Sequence, residues 1–132
     1  MHKESTKVIV SGVVIKKDGR YLLVQEKQPK VYGKWNFPAG WIDKNETPEQ
    51  AALREAKEET GLEVELVNKL GVFEGTSGPT RHTFEAKIIG GELKVQPEEL
   101  LDIQWFTFDE ITGMKDQLRS DWILWAVSIL EK

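Results

Sequence analysis

The sequence predicts an α/β fold in which a mixed β-sheet lies between helices. Strand-like segments precede and follow a sharply delimited helix at residues 48–60, and a strongly apolar helix closes the chain at residues 121–131. Strands on both sides of a central helix, with a second helix at the end, are typical of a sheet that is covered on both faces. The chain has 132 residues and no repeat or linker, so we expect one domain over residues 1–132.

The first third of the chain is expected to form a hairpin followed by a short strand. Residues 7–16 are rich in β-branched side chains, which favours a buried strand. Asp18-Gly19 marks a tight turn, and residues 21–26 return as the second strand. Residues 34–40, with the sequence KWNFPAG, predict a short strand that ends on Pro-Ala-Gly.

The central helix has its own start and stop signals. Thr47 can cap the first turn, with Pro48 in the first helical position, where its missing N–H does no harm. Gln50 stands three residues after Thr47, as in a capping box. Gly61 can adopt the left-handed conformation that ends many helices. Together these signals predict a helix over residues 48–60.

Three glutamates share one face of this helix, beside an arc that is expected to be buried. Glu55, Glu58 and Glu59 follow the i, i+3, i+4 spacing, so their carboxylates project together. Like charges one turn apart repel by about 1 kcal/mol in water and about 4 kcal/mol at an effective dielectric near 20. Arg54 can relieve this repulsion, and a hard divalent cation with oxygen ligands would relieve it better. Taken alone, the glutamates are more typical of a solvated acidic surface. The arc expected to be buried comprises Ala52, Leu53, Ala56 and Thr60.

The second half of the chain is expected to complete the sheet and add the terminal helix. The strand patterns cover residues 62–74, 81–89 and 103–108, with a turn at Thr76-Ser77-Gly78-Pro79 and a short helix at 109–113. Ser120 can cap the final helix, whose apolar arc is wider than a core-facing stripe needs. The surplus apolar surface predicts a contact between two copies of the chain, that is, a homodimer.

Composition excludes several classes of function. The formal net charge of −4 argues against nucleic acid as a partner. The chain has no cysteine, which excludes a disulfide framework, a thiolate metal site and a cysteine nucleophile. No segment approaches the roughly 20 apolar residues of a membrane span, and the N-terminal residues lack the apolar run of a secretory signal. We therefore expect a cytoplasmic protein that does not contact a membrane.

The residues around the central helix resemble the Nudix box, G-x5-E-x7-R-E-U-x-E-E-x-G-U, where U is aliphatic. The fixed positions are occupied over residues 40–62 by Gly40, Glu46, Arg54, Glu55, Glu58, Glu59, Gly61 and Leu62, and only Ala56 is small for its position. On this pattern the chain is identified as a member of the Nudix hydrolase family, which implies an α/β/α sandwich. The Trp-Asn-x-Pro-Ala-Gly entry and Leu118-Arg119-Ser120 look most like the NudJ-type phosphatases of that family.

The resemblance implies a Mg²⁺-dependent hydrolase that cuts a P–O–P bond with water, with Mn²⁺ as a substitute ion. Catalysis of this kind rests on positioning and cations. The expected metal ligands are Glu55, Glu58 and Glu59, a backbone carbonyl at Ala39 or Gly40, and Glu99 from a later loop. The expected catalytic residues are Glu55, Arg54 and Glu58. Glu55 would be a ligand or the base, Arg54 would orient a catalytic glutamate, and Glu46 would steady the loop and helix. For Arg54 and Glu46 the alternative is an ordinary surface ion pair.

Lys27, Trp35 and Arg81 are the candidate substrate-binding residues. Lys27 and Arg81 could meet phosphates and Trp35 could stack on a ring. The more common role is a surface charge for Lys27 and Arg81 and core packing for Trp35. We rank nucleoside di- and triphosphates first as substrates, a thiamine-precursor pyrophosphate second, and ADP-ribose or a dinucleoside polyphosphate third. Trp41 stands where the nucleotide-sanitising branch often has lysine, which disfavours that branch. A non-catalytic Nudix-fold nucleotide-binding module is the rival class, and such modules usually lose carboxylates of the box.

Overall fold

A mixed β-sheet with helices on both faces forms the fold. The computed structural model describes residues 9–75 and 78–132, and within them the sheet has seven strands. The strands are β1 (Ile9–Lys17), β2 (Arg20–Glu26), β3 (Trp35–Asn36), β4 (Ala39–Trp41), β5 (Leu62–Glu74), β6 (Thr80–Gly91) and β7 (Leu100–Thr107). The α-helices are α1 (Pro48–Thr60), α2 (Phe108–Thr112) and α3 (Trp122–Leu130), with single 3₁₀ turns at Pro29–Val31 and Lys115–Gln117.

Strand β1 lies at the centre of the sheet. It pairs in parallel with β6, and β6 pairs antiparallel with β5. On its other edge β1 pairs antiparallel with β4 and, at its end, with β2. Strand β2 in turn pairs antiparallel with β3 and β7. The sheet therefore mixes parallel and antiparallel pairs, as the sequence predicts.

The side chains of β1 alternate between two hydrophobic cores, one on each face of the sheet. Val13 and Ile15 belong to the core that contains Ala52 and Ala56 of α1. Val10 and Val14 belong to the other core, which contains residues of α2 and α3. Because successive side chains of a strand point to opposite faces, a run rich in β-branched residues suits a strand covered on both sides. The α/β/α arrangement is confirmed.

Helix α1 begins and ends as the sequence predicts. Thr47 Oγ1 accepts the N–H of Gln50 at 3.0 Å, and Gln50 Oε1 accepts the N–H of Thr47 at 2.9 Å. Gly61 ends the helix with a φ of 81°, in the left-handed region. The prediction that Leu53 lies on the buried arc is wrong, because that side chain is 40% exposed. The helix is rotated instead toward its small residues, and its buried positions are Ala51, Ala52, Ala56 and Thr60.

Elsewhere the structure adjusts several boundaries. The strand expected at residues 34–40 is divided into β3 and β4, since Pro38 between them has no N–H to donate to a ladder. Strand β6 continues through Gly90 to Gly91, and β7 begins at Leu100. Residues 7 and 8 of the first expected strand, and Thr76-Ser77 of the expected turn, lie outside the described residues.

Helix α3 uses much of its apolar arc within the fold. The prediction that Ser120 caps this helix is wrong, because the N-cap residue is Asp121, which forms no side-chain cap hydrogen bond. Ser120 Oγ lies one residue earlier and accepts the N–H of Trp122 at 3.3 Å. Trp122 is buried, and the ring of Trp125 lies 5.3 Å from that of Phe73 on β5. No helix in the described part of the chain is long and apolar enough to cross a membrane.

Candidate active site

A cavity of about 300 Å³ opens beside α1 and contains much of the expected site. Its walls include Glu55 and Glu59 of α1, Ala39 and Gly40 of β4, and Arg81 of β6. Strand β4 pairs with β1, while α1 packs on β1 from one face of the sheet. The central strand therefore fixes the position of both elements that carry the carboxylates and the adjoining backbone.

The backbone of β4 lies directly against the two carboxylates. The N–H of Ala39 donates to Glu59 Oε1 at 3.1 Å. A Cβ atom built on Gly40 would collide with the carboxylate of Glu55, so only glycine permits this approach. Glu55 and Glu59 are thereby held in one cavity with the peptide groups of Ala39 and Gly40.

These two carboxylates are electrostatically crowded. Burial raises the pKa of Glu59 well above its usual range, and the negative charges of Glu55, Glu26 and Glu99 add to the rise. Burial also raises the pKa of Glu55, although the neighbouring Arg54 guanidinium opposes the shift. A cation placed between them would relieve both the desolvation and the repulsion.

Arg54 joins the loop before α1 to the glutamates. Its Nε and Nη2 donate to the two oxygens of Glu46 at 2.6 and 2.9 Å, and Nη2 also donates to the carbonyl of Trp41 at 3.0 Å. Its Nη1 donates to Glu55 at 2.9 Å and to Glu58 at 3.2 Å. The hydrogen bonds from Arg54 hold the pKa of Glu46 at about 2. Because Glu46 fixes the planar guanidinium group of Arg54, this group in turn orients the carboxylate of Glu55.

The structure separates the third glutamate of the helix from the other two. Glu58 does not line the cavity, and its side chain is 56% exposed and paired with Arg54. Glu99 lines an adjoining cavity together with Glu98, and Glu59 lies on the wall of both cavities. Of the expected ligands, the structure thus brings together Glu55, Glu59 and the Ala39–Gly40 backbone.

In the described residues, no three His, Asp or Glu side chains lie close enough together to hold a metal ion. The donor chemistry nevertheless fits Mg²⁺. Glu55 and Glu59 offer crowded carboxylate oxygens, and the adjacent Gly40 backbone leaves no side chain in the way. Hard cations prefer such oxygen ligands and retain water in their remaining positions.

The expected substrate-binding residues have different locations. Arg81 is only 5% exposed and lines the cavity. Lys27 lines the adjoining cavity, with its Nζ donating to the carbonyl of Pro97 at 2.6 Å. Trp35 does not line the cavity, because its ring is buried in the core and packs edge-on against Phe106 at 4.9 Å.

Glu26, Asn36 and Arg119 also line the cavity, and sequence reasoning did not select them. Asn36 Nδ2 donates to Glu26 Oε2 at 3.0 Å, which holds this carboxylate at the end of β2. A charged residue at the end of a buried strand was a usable signal for Glu26. Arg119 belongs to the segment that resembles NudJ-type phosphatases, but no local pattern connects that segment to α1.

The resemblance noted in the sequence extends over nearly the whole chain. The NUDIX domain profile matches residues 5–126. The chain belongs to the Nudix family. A Nudix hydrolase 1 of Caenorhabditis elegans is 34% identical over 120 residues, and the match covers 88% of this chain but 33% of that longer protein. An oxidized purine nucleoside triphosphate hydrolase of Danio rerio is 37% identical over 133 residues, covering 96% of this chain and 82% of the relative.

The fold of a solved Nudix hydrolase agrees closely with this structure. The enzyme from Nitrosomonas europaea superposes with a TM-score of 0.82 at 28% sequence identity. The superposition covers 93% of this Nudix chain and 87% of that one. The mixed sheet between helices is thus the Nudix architecture.

Proposed function

We propose that this chain is a Mg²⁺-dependent Nudix pyrophosphohydrolase that cleaves a P–O–P bond by the attack of water. The observation that carries this proposal is the pair Glu55 and Glu59, which are crowded into one cavity against the glycine backbone of β4. Such a pair is costly without a cation, and it supplies the oxygen ligands that Mg²⁺ prefers.

Each residue of the site has a proposed task. Glu55, Glu59 and a backbone oxygen at Ala39 or Gly40 would hold the ion, with Glu58 and Glu99 as further candidate ligands. When bound, Mg²⁺ supplies charge neutralisation on the phosphate oxygens and activation of water.

Glu55 would accept the proton of the attacking water. Its Oε2 is bound by Arg54 Nη1, which leaves Oε1 free of that hydrogen bond. Because Arg54 is itself fixed by Glu46, the orientation of Glu55 is set before substrate binds.

Nucleoside di- and triphosphates remain the first choice of substrate. The name of the Danio rerio relative, an oxidized purine nucleoside triphosphate hydrolase, supports this choice. Oxidized nucleotides should therefore also be tested as substrates. A thiamine-precursor pyrophosphate is the second choice, from the NudJ-like Leu118-Arg119-Ser120 segment. ADP-ribose and dinucleoside polyphosphates are the third.

A phosphate-release screen tests the proposal. The protein is incubated with Mg²⁺ or Mn²⁺ and a panel of these anhydrides, with inorganic pyrophosphatase added in parallel reactions to reveal pyrophosphate as a product. We expect turnover of at least one anhydride, with Glu55→Gln as the inactive comparison. Tight binding of nucleotides without turnover of any of them would favour the non-catalytic binding module instead.

A further inference from the structure

Arg81 is a buried cation held between aromatic rings. Its side chain lies on β6 beneath α3, with its Cζ 5.8 Å from the ring centroid of Phe73 and 5.5 Å from that of Trp122. Trp122 is fixed in turn, because its Nε1 donates to Thr83 Oγ1 at 2.8 Å. Two aromatic rings therefore lie within cation–π distance of the guanidinium group.

Most of the hydrogen-bond donors of Arg81 have no partner among the described residues. A guanidinium has five N–H donors, and the hydrogen bond from Arg81 within the described residues is the long one from Nη1 to the carbonyl of Pro79 at 3.4 Å. In the described part of the chain, every side-chain nitrogen or oxygen that is buried from solvent has a hydrogen-bond partner. Arg81 lines the cavity beside α1 and a second one, and Arg119 lines both.

Arg119 brings a second cation to the same cavity. Its backbone is anchored to the sheet, because its N–H donates to the carbonyl of Trp35 at 2.8 Å and Leu118 forms a bridge with Trp35. Burial lowers the pKa of Arg81, and the charge of Arg119 lowers it further. The two guanidinium groups are thus close enough to repel each other.

Neither arginine has a carboxylate partner among the described residues, although Asp121 lies on the wall of a second cavity that both arginines line. Within the described residues, neither Arg81 nor Arg119 forms an ion pair, and Glu55 and Glu59 of the same cavity are paired with Arg54 or with β4 instead. Arg119 is exposed, so the desolvation cost of an unpaired buried charge falls on Arg81. An anion in this cavity would compensate the charge of both arginines.

We propose that Arg81 and Arg119 form an anion-binding subsite for a group of the substrate other than the diphosphate that is cleaved. This inference rests on the proposed function, which places the scissile diphosphate at Glu55 and Glu59. Guanidinium forks match the geometry of phosphate oxygens, and two forks can hold one phosphate from two sides. The subsite therefore selects anhydrides that carry a further phosphate. Nucleoside triphosphates fit this description, whereas the distal sugar of ADP-ribose is neutral.

The first test measures anion binding without metal or turnover. Metal-free protein is titrated calorimetrically with inorganic tripolyphosphate, comparing wild type with Arg119→Gln, Arg119→Lys and Arg81→Lys. Arg20→Gln is the matched control, since Arg20 is an exposed arginine that does not line this cavity. We expect Arg119→Gln to weaken binding at least tenfold, Arg119→Lys to weaken it less, and Arg20→Gln to leave the Kd within twofold. Unchanged binding by Arg119→Gln and Arg81→Lys would overturn the subsite.

The second test measures selectivity during turnover with Mg²⁺. For one nucleoside, kcat/KM is compared between its triphosphate and its diphosphate. We expect Arg119→Gln to lower kcat/KM at least tenfold for the triphosphate, mainly through KM, and less than threefold for the diphosphate. Equal losses for both would mean that the arginines hold the cleaved diphosphate, which would overturn the inference while leaving the hydrolase proposal intact. Loss of tripolyphosphate binding by Arg119→Gln in a protein that hydrolyses nothing would support the subsite and refute the proposed function.

Discussion

Replacing Glu59 with glutamine separates metal binding from folding. Glutamine keeps the size of the side chain, and its amide oxygen can still accept the N–H of Ala39 that Glu59 accepts at 3.1 Å. What it removes is the negative charge that a hard cation requires of its ligand. The substitution therefore changes the electrostatics of the cavity while conserving its packing.

The expected effects on turnover and stability have opposite signs. Loss of one key electrostatic contact lowers kcat by about a hundredfold or more, which corresponds to about 3 kcal/mol. Stability should not fall, because Glu59 is repelled by Glu55, Glu26 and Glu99. Two unit charges about 7 Å apart repel by about 2 kcal/mol at an effective dielectric near 20. Because the raised pKa of Glu59 already reduces its charge, we expect the metal-free variant to gain between zero and about 2 kcal/mol.

Two measurements check this pair of effects. The kcat is determined with saturating Mg²⁺ on the best substrate of the screen, and the free energy of unfolding is measured by urea denaturation of the metal-free protein. Glu63→Gln is the matched control, since Glu63 is a surface carboxylate paired with Lys57 at 3.3 Å. Nearly intact turnover together with reduced stability would identify Glu59 as a structural ion-pair or hydrogen-bond partner and would remove it from the proposed site.

Three further predictions concern the metal, the Arg54 network and self-association. Excess EDTA should abolish phosphate release and added Mg²⁺ should restore it; full activity in EDTA would refute the metal mechanism. The pKa of Glu46 is lowered to about 2 in the folded protein, so its stabilising effect is complete above about pH 4.5 and is lost as the pH falls toward 2. Glu46→Gln should therefore lower the Tm at pH 7, and its difference from wild type should shrink in thermal scans between pH 5 and pH 2; a constant difference would contradict this. The partly exposed apolar residues of α3 predict a dimer in sedimentation velocity, and a monomer at every concentration would show that α3 serves the fold alone.

The parts of the site that depend on local spacing could be predicted from the sequence. The capping box of Thr47 and Gln50, the stop at Gly61 and the shared face of Glu55 and Glu59 all follow from residues at most four positions apart. Helical geometry fixes such relations before any tertiary contact forms. The close approach of Gly40 to Glu55 was implied only by the resemblance to the family.

The other parts depend on contacts between distant segments. Periodicity along β6 places Arg81 on the polar face of an alternating strand, where a surface charge is the simple expectation. The structure buries it because Trp122, which follows 41 residues later, covers that face of the sheet. Glu26 lies at the end of β2, which pairs with β3, and Arg119 follows Leu118, which forms a bridge with Trp35 of β3. No local sequence pattern predicts these pairings between distant segments.

The Arg54 network has a consequence for the order in which the protein folds. Its hydrogen bonds join residues separated by 1 to 13 positions, so they close only short loops. The parallel pairing of β1 with β6 instead joins Ile9 to Thr80, across most of the chain. Closing long loops slows folding, and native contacts that are local form more readily in the transition state. We therefore expect the loop and α1 to acquire structure early, so that Thr47→Ala slows refolding in stopped-flow measurements more than it accelerates unfolding; the reverse would place α1 late. The segment that carries the proposed site would then act as the nucleus on which the central strands assemble.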